Sequence, residues 1–267
     1  MFLSSARVDG LSVQSGQVSI PRFIPFGGDF TIDLKGSGAV SEMLRVSNFP
    51  PFEFSKNYGL VPSDFQGVGN IDLNVTRPLL EHFDQSRILY DLSGDFTGVS
   101  LPVGFGKNSF KDGALALRAN KEGISIRGPI KLGAWQTTLD WVKPLVYRNT
   151  PAEYSVAGVI TRDDLDAFGV GLRKHFGGKI GVLIKGSGDG VSVSQADVFA
   201  NFKEADVNFG TLWAKAKGDA GNLSAKIALG QGGDIRAENL KVTASGLDIQ
   251  GAIAVAPNFQ LQSMDID

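Results

Sequence analysis

The feature that most constrains this sequence is an alternation of apolar and polar residues that recurs along most of the chain. It is clearest in residues 113–141. A side-chain period of two with one apolar face predicts half-buried antiparallel strands. Asn120–Gly123 predicts a hairpin turn with Gly123 at a positive φ, and Gly128-Pro129 predicts a second break between strands. The apolar members of this stretch are Leu115, Leu117, Ile124, Ile126, Leu139 and Trp141.

Composition narrows the class of protein. The chain has 267 residues, 42% hydrophobic and 20% charged, which excludes disorder and allows one large all-β domain or two ordinary ones. The absence of cysteine excludes a disulfide framework and a thiolate metal site. A net charge of −2 gives no indication of nucleic-acid binding.

The rest of the chain repeats short alternating runs, which predict an extended antiparallel meander. Ala39–Val46 is predicted to be a short helix that the following prolines stop. Thr161–Gly169 is predicted to form one or two helical turns with Thr161 as N-cap. Gly94 is expected to mark a bulge, and Gly186–Gly190 is predicted to be a turn.

The organisation is predicted to be one continuous segment over residues 1–267, with sub-units at 1–60, 61–150 and 151–267. Strand-like alternation continues to both ends of the sequence, so the chain is expected to be a piece of a longer protein. A complete domain with ordered terminal strands is the alternative. No stretch has the roughly 18 consecutive apolar residues of a membrane helix.

The sequence offers no arrangement of catalytic residues. His82 and His175 are isolated from each other, and the carboxylates of residues 163–166 are explained by a helix N-terminus. The glycine-rich segment 186–190 lacks the Lys-Ser/Thr of a phosphate loop. We therefore expect no enzyme activity, no cofactor and no metal.

Two short helices cannot cover the apolar sides of a dozen or more strands. The residues alone leave three solutions: a two-layer sandwich, a closed barrel, or an open trough whose apolar interior a ligand completes. Periodicity does not decide among them.

Several segments resemble the AsmA-like family of the YhdP type. Residues 49–60 (FPPFEFSKNYGL), followed by PSDFQG at 62–67, are similar to that family's proline-containing loop and the strand after it. Residues 71–80 and 90–102 resemble its next two strands. Residues 153–168 and 191–207 continue the likeness. The chain departs from full-length members because it lacks their N-terminal membrane helix.

The resemblance implies an all-β fold: an extended, curved antiparallel sheet that forms an open apolar groove, with one or two short helices. It implies a segment of a periplasmic, bridge-like lipid-transfer protein that shields phospholipid acyl chains between the inner and outer membranes. The full-length protein would be anchored in the inner membrane. The alternative is a structural sandwich or solenoid domain of an envelope or surface protein without lipid transport.

The groove would be lined by the apolar face of the strands, with the polar neighbours Arg118, Arg127 and Asp140 on the outer side. The candidate lining residues are Ile71, Leu73, Val75, Leu115, Leu117, Ile124, Ile126, Leu139, Trp141, Val156, Val182, Ile184, Leu223 and Ile227.

Overall fold

The computed structural model describes residues 2–3, 5–8, 10–22, 28–49, 54–101, 104–105, 108–146, 150–168, 171, 174–188, 195–229, 235–256 and 261–266. Most of them lie in β-strands. The strands are β1 (Phe2–Leu3), β2 (Ala6–Val8), β3 (Leu11–Ser19), β4 (Asp29–Ala39), β5 (Gln66–Pro78), β6 (Leu89–Ser100), β7 (Gly104–Phe105), β8 (Asn108–Lys111), β9 (Gly113–Asn120), β10 (Gly123–Leu132), β11 (Trp135–Pro144), β12 (Ala152–Thr161), β13 (Phe176–Gly188), β14 (Gln195–Asn201), β15 (Ala205–Asn208), β16 (Ala214–Lys215), β17 (Gly221–Leu229), β18 (Ile235–Ala244), β19 (Leu247–Val255) and β20 (Leu261–Ile266).

Three short α-helices interrupt the described strands: α1 (Val40–Val46), α2 (Phe54–Asn57) and α3 (Arg162–Ala167). Single 3-10 turns lie at Pro62–Asp64 and Gln85–Arg87. The predicted cap of α3 is confirmed, because Asp164 Oδ2 accepts a hydrogen bond from the Thr161 amide at 2.8 Å and completes a capping box. In the described part of the chain, no helix combines the length and apolarity needed to cross a membrane.

The chain divides into two compact units. Unit 1 comprises Met1–Pro102, Asp112–Gly128 and Trp141–Thr150, and unit 2 comprises Val103–Lys111, Pro129–Asp140 and Pro151–Asp267. The predicted boundary at 150/151 coincides with the last change of unit along the chain, whereas the predicted boundary at 60/61 lies inside unit 1.

Each unit is built on an antiparallel sheet that follows the chain order with one insertion. In unit 1 the order is β2–β3–β4–β5–β6–β9–β10. In unit 2 the order is β12–β13–β14–β17–β18–β19–β20, and β15–β16 pair at the start of β13. Among the described strands, β2 and β20 each pair with one neighbour, so neither sheet closes on itself. An all-β fold with open antiparallel sheets is therefore confirmed, and the described residues contain three short helices where one or two were predicted.

Bulges keep the apolar residues on one face where the alternation of the sequence slips by one residue. In β6, Gly98 is the extra residue between Thr97 and Val99, and its φ of 64° suits a bulge. In β18, the extra residue of the bulge is Asn239 (φ 50°), which precedes Leu240. The bulge predicted at Gly94 is therefore wrong by four residues, because the register changes at Gly98.

The predicted hairpin of β9 and β10 is present, but Gly123 differs from the prediction. Asn120 holds the turn through its side-chain oxygen, which accepts from the amides of Glu122 and Gly123. Gly123 does not have a positive φ; a Cβ there would lie 2.8 Å from the Lys143 carbonyl oxygen, so close approach explains the glycine.

The predicted break at Gly128-Pro129 is wrong, because β10 continues to Leu132 and the turn follows at Gly133. Gly128 has a φ of 149°, and a Cβ there would lie 2.1 Å from the Ala114 carbonyl oxygen. β10 pairs with β9 before this point and with β8 after it. The predicted turn at Gly186–Gly190 is also wrong in its first half, since β13 extends through Gly188, and residues 189–190 lie outside the described part.

A small core in unit 2 joins β15–β16 to the end of the main sheet. Phe176, Phe202 and Ala205 are buried there, with Leu165 of α3 and Trp213 packed against them. The ammonium group of Lys215, which is 3% exposed, donates to the carbonyls of Ala205 and Ala216 at 3.0 and 2.9 Å. These hydrogen bonds satisfy a buried cation and fix the small sheet.

Aromatic rings lie against glycines of neighbouring strands. Trp135 packs over Gly158, where a Cβ would lie 2.8 Å from the indole nitrogen, and Phe96 packs over Gly69, where a Cβ would lie 2.3 Å from the ring. Tyr154 has the same relation to Gly186. Because these glycines carry no side chain, the rings lie close to the backbone.

We predict that Gly158→Ala destabilises the protein by about 1–3 kcal/mol, because the added methyl overlaps Trp135 in a packed position. The matched control is Gly181→Ala on the adjacent strand, where the nearest atom to a Cβ is 3.9 Å away and a change within about 0.5 kcal/mol is expected. Urea unfolding monitored by tryptophan fluorescence measures both. Equal effects of the two substitutions would contradict the packing argument.

Candidate functional site

The apolar face of unit 1 is assembled by register. Residues directly opposite in antiparallel strands share a face, and apolar residues meet apolar residues or glycine in row after row. One row runs Val13, Gly36, Ile71, Gly94, Leu117 and Ile126. The next runs Gly16, Leu34, Leu73, Leu92, Ala119 and Ile124. Ile32, Val75 and Tyr90 form a third.

The opposite face of unit 1 is polar. Its central row runs Ser15, Lys35, Asp72, Ser93, Arg118 and Ser125. Lys35 and Asp72 form an exposed ion pair at 2.8 Å. Arg118 and Arg127 are exposed on this side, as predicted. The sheet of unit 1 therefore separates apolar from polar side chains completely in its central rows.

The apolar face of unit 2 is assembled in the same way. Its rows are Val156, Ile184, Val198 and Ala225, then Gly158, Val182, Ala200, Leu223, Val242 and Ile249, then Tyr154, Gly186, Ala196, Ile227, Ala237, Ile253 and Met264. On the opposite face, Ser155, Lys185, Asp197, Lys226 and Glu238 form a charged row.

Register places twelve of the fourteen predicted lining residues on these faces, and their exposure is unequal. Most remain partly exposed: Ile71, Leu73, Val75, Leu117, Ile126, Trp141, Val182, Ile184, Leu223 and Ile227. Leu115, Ile124, Leu139 and Val156 are buried. In unit 1, one face carries Ile71, Leu73, Val75, Leu115, Leu117, Ile124 and Ile126. In unit 2, one face carries Val156, Val182, Ile184, Leu223 and Ile227. No described pairing fixes the face of Leu139 or Trp141.

One end of the apolar face in unit 2 is covered by protein. Leu223 and Val242, which belong to this face, pack against the core of Phe176, Phe202 and Ala205. The covering elements are α3 and the β15–β16 hairpin, which contribute Leu165 and Val207. In unit 1, α1 packs at the end of β4 and the start of β5. Most members of the central rows remain partly exposed, whereas Val13, Ile124, Val156 and Ala225 are buried.

A shallow cleft of about 650 Å³ lies on the other face of unit 2. Its side chains come from the rows Ala157–Leu183–Phe199–Ser224–Lys241 and Val159–Gly181–Asn201–Asn222–Thr243. Val159 is 52% exposed and Phe199 is 45% exposed. This patch was not predicted from the sequence. The signal was a run of consecutive apolar residues at 156–160 and 182–184, which makes both faces of a strand apolar.

The side chains of these faces are suited to apolar contact. Within the described residues, no group of His, Cys, Asp or Glu could hold a metal ion. Among buried side-chain nitrogen and oxygen atoms of the same residues, Trp135 Nε1 is without a hydrogen-bond partner. Tyr154 sits on the apolar face with its hydroxyl donating to the Gln195 carbonyl at 3.0 Å. What the arrangement can do is hold long apolar groups against a smooth sheet.

Comparisons with protein-family models, with curated proteins and with solved structures find no match to this chain.

Burial on the apolar face raises the pKa of Tyr154 from 10.0 to about 12, which gives a test of the site's polarity. The neutral phenol is favoured in the folded state, so this contribution to stability is complete below pH 10 and is lost as pH rises from 10 to about 12. Ultraviolet titration of phenolate absorbance should show a tyrosine transition near pH 12 that Tyr154→Phe removes. If Tyr154→Phe removes an ordinary transition near its unperturbed pKa, the site is wetter than the structure implies.

Proposed function

We propose that this chain is a segment of a lipid-transfer protein whose apolar sheet faces shield acyl chains from water. One observation carries the proposal. In both units, one face of the sheet is continuously apolar and partly exposed, and the opposite face is polar or mixed. Contiguous apolar surface that remains partly exposed is typical of interaction sites. An acyl chain is the partner that matches a long face without directional polar groups.

The energetics favour this ligand class. Each CH₂ group removed from water contributes about 0.8 kcal/mol, so a chain of about 16 carbons gains on the order of 10 kcal/mol in an apolar environment. A face without specific acceptors or donors binds such a chain without fixing one position, which suits movement along the strands. Transfer by this route requires no catalytic group.

The resemblance to the AsmA-like family extends the proposal to a cellular location. In that setting the chain is part of a periplasmic bridge, with phospholipid passing between the inner and outer membranes and an inner-membrane anchor elsewhere in the full-length protein. Phospholipid acyl chains are the proposed partner. A structural sandwich or solenoid domain of the cell envelope is the competing proposal, and it requires no lipid on either face.

A phospholipid with a photoactivatable group at the end of one acyl chain tests the proposal directly. The lipid is presented to the purified protein in vesicles, irradiated, and the crosslinked residues are mapped by mass spectrometry. We expect crosslinks on the apolar rows that include Leu73 and Val182. Crosslinks confined to the cleft around Phe199 would move the site to the other face, and none above background would favour the structural role.

Paired lysine substitutions separate the faces within single strands. Leu73→Lys and Val182→Lys place a charge on the apolar faces and should lower lipid crosslinking at least about tenfold, since desolvating a charge costs several kcal/mol. The matched controls are their sequence neighbours Asn74→Lys and Leu183→Lys on the opposite faces. Both controls should crosslink as the parent protein does. Circular dichroism and thermal unfolding establish that all four proteins fold.

A loss of crosslinking in Leu183→Lys with none in Val182→Lys would show that unit 2 uses its cleft. Equal crosslinking by all four variants would contradict the proposal.

A further inference from the structure

One end of the apolar face in unit 1 carries a cation. Arg77 is opposite Phe30 in the register, two residues beyond the apolar pair of Ile32 and Val75. Side chains two apart in a strand share a face. Arg77 therefore lies on the same face of β5 as Ile71, Leu73 and Val75. A charged residue at the end of an otherwise apolar row is the exception on this face.

Two aromatic rings hold the guanidinium group. Its central carbon lies 5.4 Å from the centroid of Phe30 and 4.5 Å from that of Phe83. Both distances are within the range of cation–π attraction. The rings fix the group at the strand end without neutralising its charge.

The hydrogen bonds of Arg77 leave donors free. Nε and Nη2 donate to the carbonyls of Pro78 and Leu80, each at 3.4 Å, which is long for such bonds. A guanidinium has five N–H groups, and no carboxylate pairs with Arg77 among the described residues. The free N–H groups and the uncompensated charge together form one half of an anion site.

Lys121 and Arg87 differ from Arg77 because each has a carboxylate, Asp84, close enough to interact with its charge. Hydrogen bonds from Ser86 lower the pKa of Asp84, and the charges of Lys121 and Arg87 lower it further. These two cations therefore already have a carboxylate nearby. Arg77 has no carboxylate partner among the described residues.

We propose that Arg77 binds the anionic headgroup, a carboxylate or a phosphate, of an amphiphile whose acyl chain lies on the apolar face of unit 1. The inference rests on the proposed function and adds the ligand's polarity and direction. At about 3.4 Å per residue, the row from Ile71 to Arg77 spans about 20 Å. One acyl chain occupies about half of the roughly 30 Å hydrocarbon thickness of a bilayer, so the chain fits with its head at Arg77.

The test compares a fluorescent polyene fatty acid with its methyl ester, which has the same chain and no charge. At about pH 8 a free carboxylate is ionised. The parent protein should bind the acid about tenfold more tightly than the ester, a difference of about 1.4 kcal/mol. Arg77→Gln should bring this ratio close to one and leave ester affinity unchanged, and Arg77→Lys should keep part of it. Inorganic phosphate should compete weakly with the acid and not with the ester, since it lacks the chain.

The matched control is Arg118→Gln, which removes the same charge from the polar face of the same sheet. It should leave the ratio as in the parent. If neither probe binds the parent protein, the proposed function fails. If both probes bind equally, or if the ratio survives Arg77→Gln, the function stands and Arg77 serves only to hold residues 79–83 against the strand. Should Arg77→Gln fail to fold, the ratio in the parent and in Arg77→Lys still decides.

Discussion

The structure depends on keeping antiparallel register over many strand pairs, so that the apolar residues of each row stay on one face. A slip of one residue would transfer a strand's apolar side chains to the polar side. The sequence itself slips at several points, and at each a bulge absorbs the extra residue: Gln14 in β3, Gly98 in β6, Asn239 in β18 and Gln262 in β20. The register corrections explain how a period of two that is locally broken yields one continuous apolar face in each unit.

Alternation was sufficient to predict the strands and the faces, and local chemistry predicted α1 and the cap of α3. Alternation was not sufficient to locate the bulges, because a strand end and a bulge interrupt the sequence pattern in the same way. Gly128-Pro129 shows the difficulty: both residues favour a break, yet β10 continues by changing its partner from β9 to β8. The Phe199 cleft and the Arg77 site depend on which residues of distant strands become neighbours, and periodicity within one strand contains no information about that.

The glycines of the apolar faces bear on whether these faces form a dry core. A sandwich core gains stability from side chains that interdigitate at high density. Gly36, Gly69 and Gly94 contribute no side chain to such packing, and Phe96 lies across two of them. Rings that lie close to the backbone flatten the surface. A flat, apolar surface gives many equivalent positions to a flexible chain and few to a rigid protein layer.

The apolar rows of unit 1 and the strand end at Arg77 offer different kinds of interaction. The central rows of unit 1 offer only dispersion and exclusion of water, which are the same at each position along a strand and define no direction. Direction requires a group that breaks this equivalence. Arg77 is such a group, because charge-assisted hydrogen bonds are directional and about twice as strong as neutral ones. Under our proposal, the cation at this strand end would allow the apolar surface to distinguish the head of an amphiphile from its tail.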